Sequence, residues 1–195
     1  MNQKTTANHP IYRIALATGL LFLGSLPLSG QVFGEDWQEF VSKEGAFRIM
    51  SPGILTEKND TVPTPVGDLI YHTFFHQQPG EREGNLVYMI SYCDYPEGAL
   101  HSDSIDLLKE FFDATVAAAA SSVAGELTYQ AKEELQGFPG RRWRIDYMGG
   151  KSTIRTLAFV ARNRYYALQT VAYLQRNTNV DTDSFFKSFQ LLPVK

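Results

Sequence analysis

The chain has 195 residues, of which 44% are hydrophobic, 13% aromatic and 20% charged. This composition excludes disorder over most of the length, and 195 residues suffice for one domain with a core of ordinary size. A formal net charge of −3 argues against general nucleic-acid binding, and the single cysteine, Cys93, excludes an internal disulfide.

The first 30 residues have the pattern of an export signal. Lys4 and Arg13 precede an uncharged apolar run, and Pro27 interrupts that run before small residues appear. We favour a cleaved signal peptide over residues 1–30; an uncleaved membrane anchor is the alternative, because about 20 apolar residues span a bilayer. The expected location is therefore the periplasm or the extracellular space, either free or anchored to the membrane by this segment.

A short tether, residues 31–36, is followed by a predicted single domain, residues 37–195, which begins with strands. Phe47 and Ile49 occupy alternate positions, as in a half-buried strand, and two antiparallel strands around a proline-containing turn come next. The segment LVYMISYCDYP has apolar residues on both faces, which predicts a central strand covered on two sides. Cys93 lies within it and is expected to be a buried thiol.

The segment SDSIDLLKEFFDATVAAAASSVAG predicts a long helix. Ser102 or Asp103 is the expected N-cap, and Gly125 is the expected end. Its apolar residues recur at helical spacing and form one stripe, which we expect to pack on a sheet. The stripe consists of Ile105, Leu108, Phe112, Val116, Ala119 and Val123.

Beyond Gly125 the pattern changes to four strands separated by tight turns, which predict antiparallel neighbours. A short terminal helix follows, with Asp181 or Thr182 as its expected N-cap and three phenylalanines, Phe185, Phe186 and Phe189, on its apolar side. The order of segments predicts an α+β fold: a mostly antiparallel sheet with a long helix and a short C-terminal helix packed on it.

The order of five segments resembles the PsbP/Mog1-like α/β/α sandwich group, which includes exported bacterial proteins. The segments are FVSKEGAFRIMSPG, YCDYPEG, GFPGRRWRIDY, RNRYYALQTVA and FFKSF, and together they extend over most of residues 37–192. The resemblance implies a sandwich fold and a non-enzymatic accessory or binding role, since known members are photosystem-associated subunits or a partner of a small GTPase. It implies no particular functional residue and no cofactor.

A concentration of arginines in the second half of the chain is the strongest candidate for a binding surface. Residues 140–164 carry seven basic residues and one acid, a net charge of +6, whereas the rest of residues 31–195 has a net charge of −11. We expect electrostatic docking on an envelope protein or an anionic membrane surface. The candidate docking residues are Arg142, Arg144, Arg155, Arg162 and Arg164.

An alternative interpretation of these arginines is structural. On a strand, Arg142 and Arg144 point away from the core while Trp143 and Ile145 point into it. The outward guanidinium groups can pair with acids elsewhere in the fold, notably the adjacent pair Glu133–Glu134 on the preceding strand. Both interpretations are open at the level of the sequence.

Motifs for metal binding and catalysis are weak. His72 and His76 share one face of a strand but are about 13 Å apart, too far to bind one ion together. Asp181 and Asp183 lack the glycine and closing glutamate of a calcium loop, so helix capping is the better explanation. We therefore expect no metal, no cofactor and no catalytic residue.

Two other functions are kept as alternatives. One is a hydrolase-like enzyme whose site is assembled only in three dimensions, because a catalytic triad is recognised by its geometry and not by the positions of its residues in the sequence. The other is a small-ligand pocket with aromatic walls, although these side chains are more readily explained as core. The candidate walls are Trp143, Tyr147, Tyr165, Tyr166 and Tyr173.

Overall fold

The computed structural model describes residues 37–78 and 84–193, so the predicted export signal and tether lie outside the described residues. Strands dominate this part of the chain, with one long helix in the middle and one short helix near its end. The elements are β1 (Gln38–Ser42), β2 (Phe47–Ser51), β3 (Thr56–Thr64), β4 (Gly67–Gln77), β5 (Val87–Asp94), α1 (Ile105–Ser122), β6 (Glu126–Leu135), β7 (Phe138–Tyr147), β8 (Ser152–Ala161), β9 (Arg164–Tyr173), α2 (Val180–Ser188) and β10 (Gln190–Leu191).

The strands form two antiparallel sheets. The large sheet has seven strands in the order β3-β4-β5-β9-β8-β7-β6, and the small sheet has three in the order β1-β2-β10. Hairpins connect neighbours on both sides of the large sheet, and β5 pairs with β9 to join its two halves. The α+β fold with a mostly antiparallel sheet is confirmed.

The helix α1 covers one face of the large sheet. Phe111, Phe112 and Val116 of the helix pack with Trp143 and Ile145 of β7 in one buried cluster. The alternation predicted for β7 is therefore correct on its apolar side. Cys93 belongs to the same cluster, and burial raises the pKa of its thiol to about 12.

The opposite face of the sheet is covered by α2 together with the small sheet. The three phenylalanines predicted for the apolar side of the C-terminal helix are buried there, against Leu157 and Phe159 of β8. Phe47 of β2 lies in the same cluster, so it joins the small sheet to the large one. The predicted packing of a short C-terminal helix on the sheet is confirmed.

The helix ends differ in detail from the predictions. Ile105, expected in the apolar stripe of α1, is 79% exposed, because the helix begins beyond the edge of the core. The N-cap of α1 is Ser104, and the N-cap of α2 is Asn179, whose side chain accepts a hydrogen bond from the Thr182 backbone N–H at 2.9 Å. Neither described helix is both long enough and apolar enough to cross a bilayer.

Along the direction of its strands, the large sheet has two ends, which we call the Arg164 end and the Trp37 end. At the Arg164 end lie the β8–β9 turn and the β1–β2 turn; Arg164 donates to the Glu44 carbonyl oxygen at 2.7 Å. At the Trp37 end lie the β7–β8 turn and the beginning of β5, where the Trp37 and Tyr88 ring centroids are 5.7 Å apart. The described chain therefore begins at the end of the sheet opposite Arg164.

Candidate docking surface

Three of the five predicted docking residues lie together on the α2 side of the large sheet. Arg144 of β7 stands directly opposite Arg155 of β8 in the strand register. Arg142 lies two residues from Arg144 on the same strand, and its guanidinium carbon is 5.8 Å from the centre of the Phe186 ring of α2. Because alternate residues share a face, all three guanidinium groups lie on one side of the sheet.

Each of these guanidinium groups lies beside a carboxylate. Arg144 binds both carboxylate oxygens of Asp146, at 2.8 and 2.7 Å. The structural alternative from the sequence is therefore observed, and one of its two named acids is a partner. The pairs are Arg142 with Glu133 at 3.3 Å, Arg144 with Asp146 at 2.7 Å and Arg155 with Asp183 at 3.2 Å.

The local charge is therefore balanced, with three basic and three acidic side chains, and the surface is not a concentrated positive field. It is still accessible: between 21% and 29% of each arginine side chain is exposed. The Nε atom of Arg142 is buried and lies 3.3 Å from a carboxylate oxygen of Glu133, but the two atoms are not aligned as in a hydrogen bond. Arg144 and Arg155 also face each other as like charges, an arrangement that by itself destabilises a sheet.

Tyr129 extends this arrangement onto β6. It is directly opposite Arg144, so that Tyr129, Arg144 and Arg155 form one row across three strands. The tyrosine is 52% exposed. Tyrosine and arginine are among the residues that are enriched at protein interfaces, so an exposed tyrosine beside arginines indicates a binding surface. We call Tyr129, Arg142, Arg144 and Arg155 the Tyr129–arginine surface.

Tyr129 was not predicted from the sequence. Its position depends on a register shift in β6 between Leu127 and Tyr129, which places the tyrosine opposite Arg144. An irregularity of this kind re-aims side chains without any clear sequence signal. An aromatic residue in a strand of mainly polar and exposed residues is the signal that could have indicated it.

Arg162 and Arg164 lie elsewhere, at the Arg164 end of the sheet. Arg162 is an exposed residue of the β8–β9 turn, and its backbone N–H donates to the Ser102 hydroxyl at 3.2 Å. Arg164 donates hydrogen bonds to both carboxylate oxygens of Asp94 at 2.6 Å. These hydrogen bonds raise the pKa of the Arg164 guanidinium group above its usual value. Seven residues of strand separate Arg155 from Arg162, a distance of about 23 Å. The five candidates therefore do not form one surface.

Arg141 has a structural role on the other face of β7. It is buried, forms an ion pair with Asp113 of α1, and its guanidinium carbon lies 5.6 Å from the centre of the Phe112 ring. Hydrogen bonds from Arg141 and then Lys109 lower the pKa of Asp113. This pair attaches α1 to the sheet beneath it.

The ion pairs predict how stability depends on pH. Burial raises the pKa of Asp146, but hydrogen bonds from Arg144 and Thr153 outweigh it, and the pKa lies below the usual value, as for Asp113. A carboxylate with a lowered folded pKa stabilises the fold above its unfolded pKa of about 3.9, and this stabilisation is lost as the pH falls through the folded pKa. We expect urea midpoints to fall between about pH 5 and pH 2.5. Asp146→Asn should make this decline shallower, and an unchanged decline would contradict the assignment.

His72 and His76 contact neighbouring protein groups. Within residues 37–78 and 84–193 there is no group of three or more His, Cys, Asp or Glu side chains that could hold a metal ion. The His72 ring stacks on Tyr92, with centroids 4.6 Å apart, and the His76 Nδ1 atom is 3.2 Å from the Ile54 carbonyl oxygen. Both histidines are part of local packing.

The hypothesis of a pocket with five aromatic walls is wrong. Trp143 and Tyr165 are buried beneath α1, whereas Tyr166 is buried on the opposite face of the sheet. The sheet itself separates these side chains, because successive residues of a strand point to opposite faces. A different cleft, about 260 Å³ in volume, lies at the Trp37 end. It is lined by Trp37, Met50, Asp181, Ser184 and Ser188.

Comparison with known proteins places the architecture in one class, the PsbP-like α+β sandwich. The chain is similar to the solution structure of cyanobacterial PsbP, CyanoP, from Synechocystis sp. PCC 6803. The TM-score is 0.51 and the match covers 87% of this chain and 98% of CyanoP, with 14% sequence identity, so the similarity shows the fold alone. No protein-family model and no curated protein matches the chain.

Proposed function

We propose that this chain is an exported, non-enzymatic accessory protein that binds another protein of the cell envelope through the Tyr129–arginine surface. The observation that carries the proposal is the row of Tyr129, Arg144 and Arg155, three partly exposed side chains in direct register on one face of the sheet. The accessory role implied by the resemblance to the PsbP/Mog1-like group supports it.

The energetics of the ion pairs support a role in binding. Partly exposed ion pairs contribute only about 0–1 kcal/mol each to folding, so the fold depends little on them. A guanidinium group presents five donors in a fixed fork. Within the part of the chain that the structure describes, Arg155 donates to one carboxylate oxygen of Asp183 at 3.2 Å and to the Asn177 carbonyl oxygen at 3.4 Å. Donors therefore remain for the carboxylates or carbonyls of a partner.

The charge balance favours a protein over a lipid surface as the partner. Anionic lipid attracts a net positive patch, with about 1 kcal/mol for each basic residue near the surface. On the Tyr129–arginine surface the three arginines are offset by Glu133, Asp146 and Asp183. Basic and acidic side chains placed together around a tyrosine are instead suited to a protein partner that has complementary charges of both signs.

Photo-crosslinking tests this proposal and identifies the partner. The full chain is produced in its native cell with a benzophenone amino acid at position 129, or at position 70 as a control, because Tyr129 and Ile70 are 52% and 51% exposed. We expect a discrete protein adduct from position 129 and none from position 70. No protein adduct at 129, adducts only to lipid, or the same adduct from both positions would overturn the proposal.

A further inference from the structure

The Trp37 end of the sheet carries a group of exposed apolar side chains. Met148 follows β7 in the turn to β8 and is 53% exposed. Tyr173 is the last residue of β9 and lies opposite Ser152, the first residue of β8. Ser152 also lies opposite Tyr147, the residue before Met148, so Tyr173 and Met148 are at the same end of the sheet. Leu127 and Val180 are also exposed near this end, on β6 and at the beginning of α2.

Hydrogen bonds locate α2 and its first residue at the same end. Val180 follows Asn179, whose amide donates to Asn85 at 3.0 Å just before β5 begins. The backbone N–H of Leu86 donates to the Val171 carbonyl oxygen near the end of β9 at 2.7 Å. The exposed apolar side chains of β6, β9, α2 and the β7–β8 turn therefore share one end of the molecule.

The chain outside the described residues joins the domain at this end. No charged residue occurs between Ile14 and Phe33, a length that suits insertion into a bilayer. Residues 31–36 can span at most about 20 Å when fully extended. A chain that retains its apolar run in a membrane therefore keeps the Trp37 end within about 20 Å of the lipid.

We propose that a chain which keeps residues 1–30 as a membrane anchor rests its Trp37 end on the lipid bilayer, with Met148 and Tyr173 in contact with the interfacial region. Tyrosine is enriched at that depth, and burial of apolar surface contributes about 25 cal/mol per Å². The tether raises the local lipid concentration, so weak contacts suffice. Because the exposed side chains invoked here, Met148 and Tyr173, are uncharged, the proposed contact does not require anionic lipid.

The proposal is independent of the protein-binding role. With the strands upright on the membrane, the Tyr129–arginine surface faces sideways, where a neighbouring envelope protein can reach it. Failure of the lipid contact would leave the crosslinking result at position 129 unaffected. The reverse also holds, because a bilayer without other proteins tests the lipid contact alone.

Nitroxide labels measure the contact directly. The native Cys93 is fully buried, so labels attach at introduced cysteines, Met148→Cys and the control Ile105→Cys. Ile105 is also exposed but lies near the opposite end, since Ser102 donates to the Arg162 carbonyl oxygen at 2.7 Å. The full-length variants are reconstituted in phosphatidylcholine vesicles, and the accessibility of each label to oxygen and to a water-soluble nickel chelate is compared.

We expect the ratio of oxygen to nickel accessibility to be several-fold higher at position 148 than at position 105. Tyr173→Cys provides a second label at the Trp37 end, and circular dichroism verifies that each variant is folded. Equal, water-like ratios at positions 148, 173 and 105 would overturn the proposal. A raised ratio at 105 equal to that at 148 would overturn it too, because the contact would then not be specific to one end.

Discussion

Phe47→Ala is expected to lower the free energy of unfolding by about 3–5 kcal/mol, the cost typical of removing a buried aromatic ring. Phe47 is fully buried between the small sheet and the large sheet. Its ring contacts five other rings, so its removal leaves a cavity that no single side chain can fill. Those rings belong to Phe40, Phe74, Tyr92, Tyr166 and Phe189.

Val41→Ala is the matched control for this substitution. Val41 lies on β1, which pairs with the strand of Phe47, but it is 46% exposed. Truncation of an exposed side chain away from any special feature changes stability by about 0.5 kcal/mol or less. Urea denaturation of both variants provides the comparison. If Phe47→Ala were no more destabilising than Val41→Ala, the small sheet would not be joined to the core as described.

The strands of the large sheet were predictable because local patterns determine them. The apolar residues on both faces of β5 predicted a central strand, and β5 indeed lies between β4 and β9. The small sheet was not predictable, since it depends on pairing Gln190 and Leu191 with Arg48 and Phe47 across most of the domain. Two-residue strands leave no periodic signal, so only the tertiary structure reveals them.

The candidate surface was predictable only in part, for the same reason. The period of two along β7 placed Arg142 and Arg144 on one face, as observed. That Arg155 stands opposite Arg144 follows from the β7–β8 register, whereas Arg162 lies a full strand length away. The net charge of residues 140–164 includes all of these arginines, but it does not show which acidic side chains pair with them. Asp183, which pairs with Arg155, comes from the distant helix α2.

The double substitution Arg144→Gln/Arg155→Gln is expected to weaken binding of the crosslinked partner at least tenfold. Removal of one partner from a charge-assisted contact at an interface costs about 2–5 kcal/mol, and a factor of ten corresponds to about 1.4 kcal/mol. Stability should change by less than about 2 kcal/mol, because two partly exposed ion pairs are lost. Binding and folding are therefore separable in this variant.

Arg162→Gln is the matched control, since it removes one of the five candidate arginines at the opposite end of the sheet. Glutamine keeps much of the side-chain length in all three substitutions and removes only the charge and the fork of donors.

The most direct test of the protein-binding role is calorimetric titration of the purified partner into wild type, the double variant and Arg162→Gln. We predict a dissociation constant at least tenfold higher for the double variant and one within about twofold of wild type for Arg162→Gln. Unchanged affinity of a folded double variant, or an equal loss in Arg162→Gln, would contradict docking through the Tyr129–arginine surface.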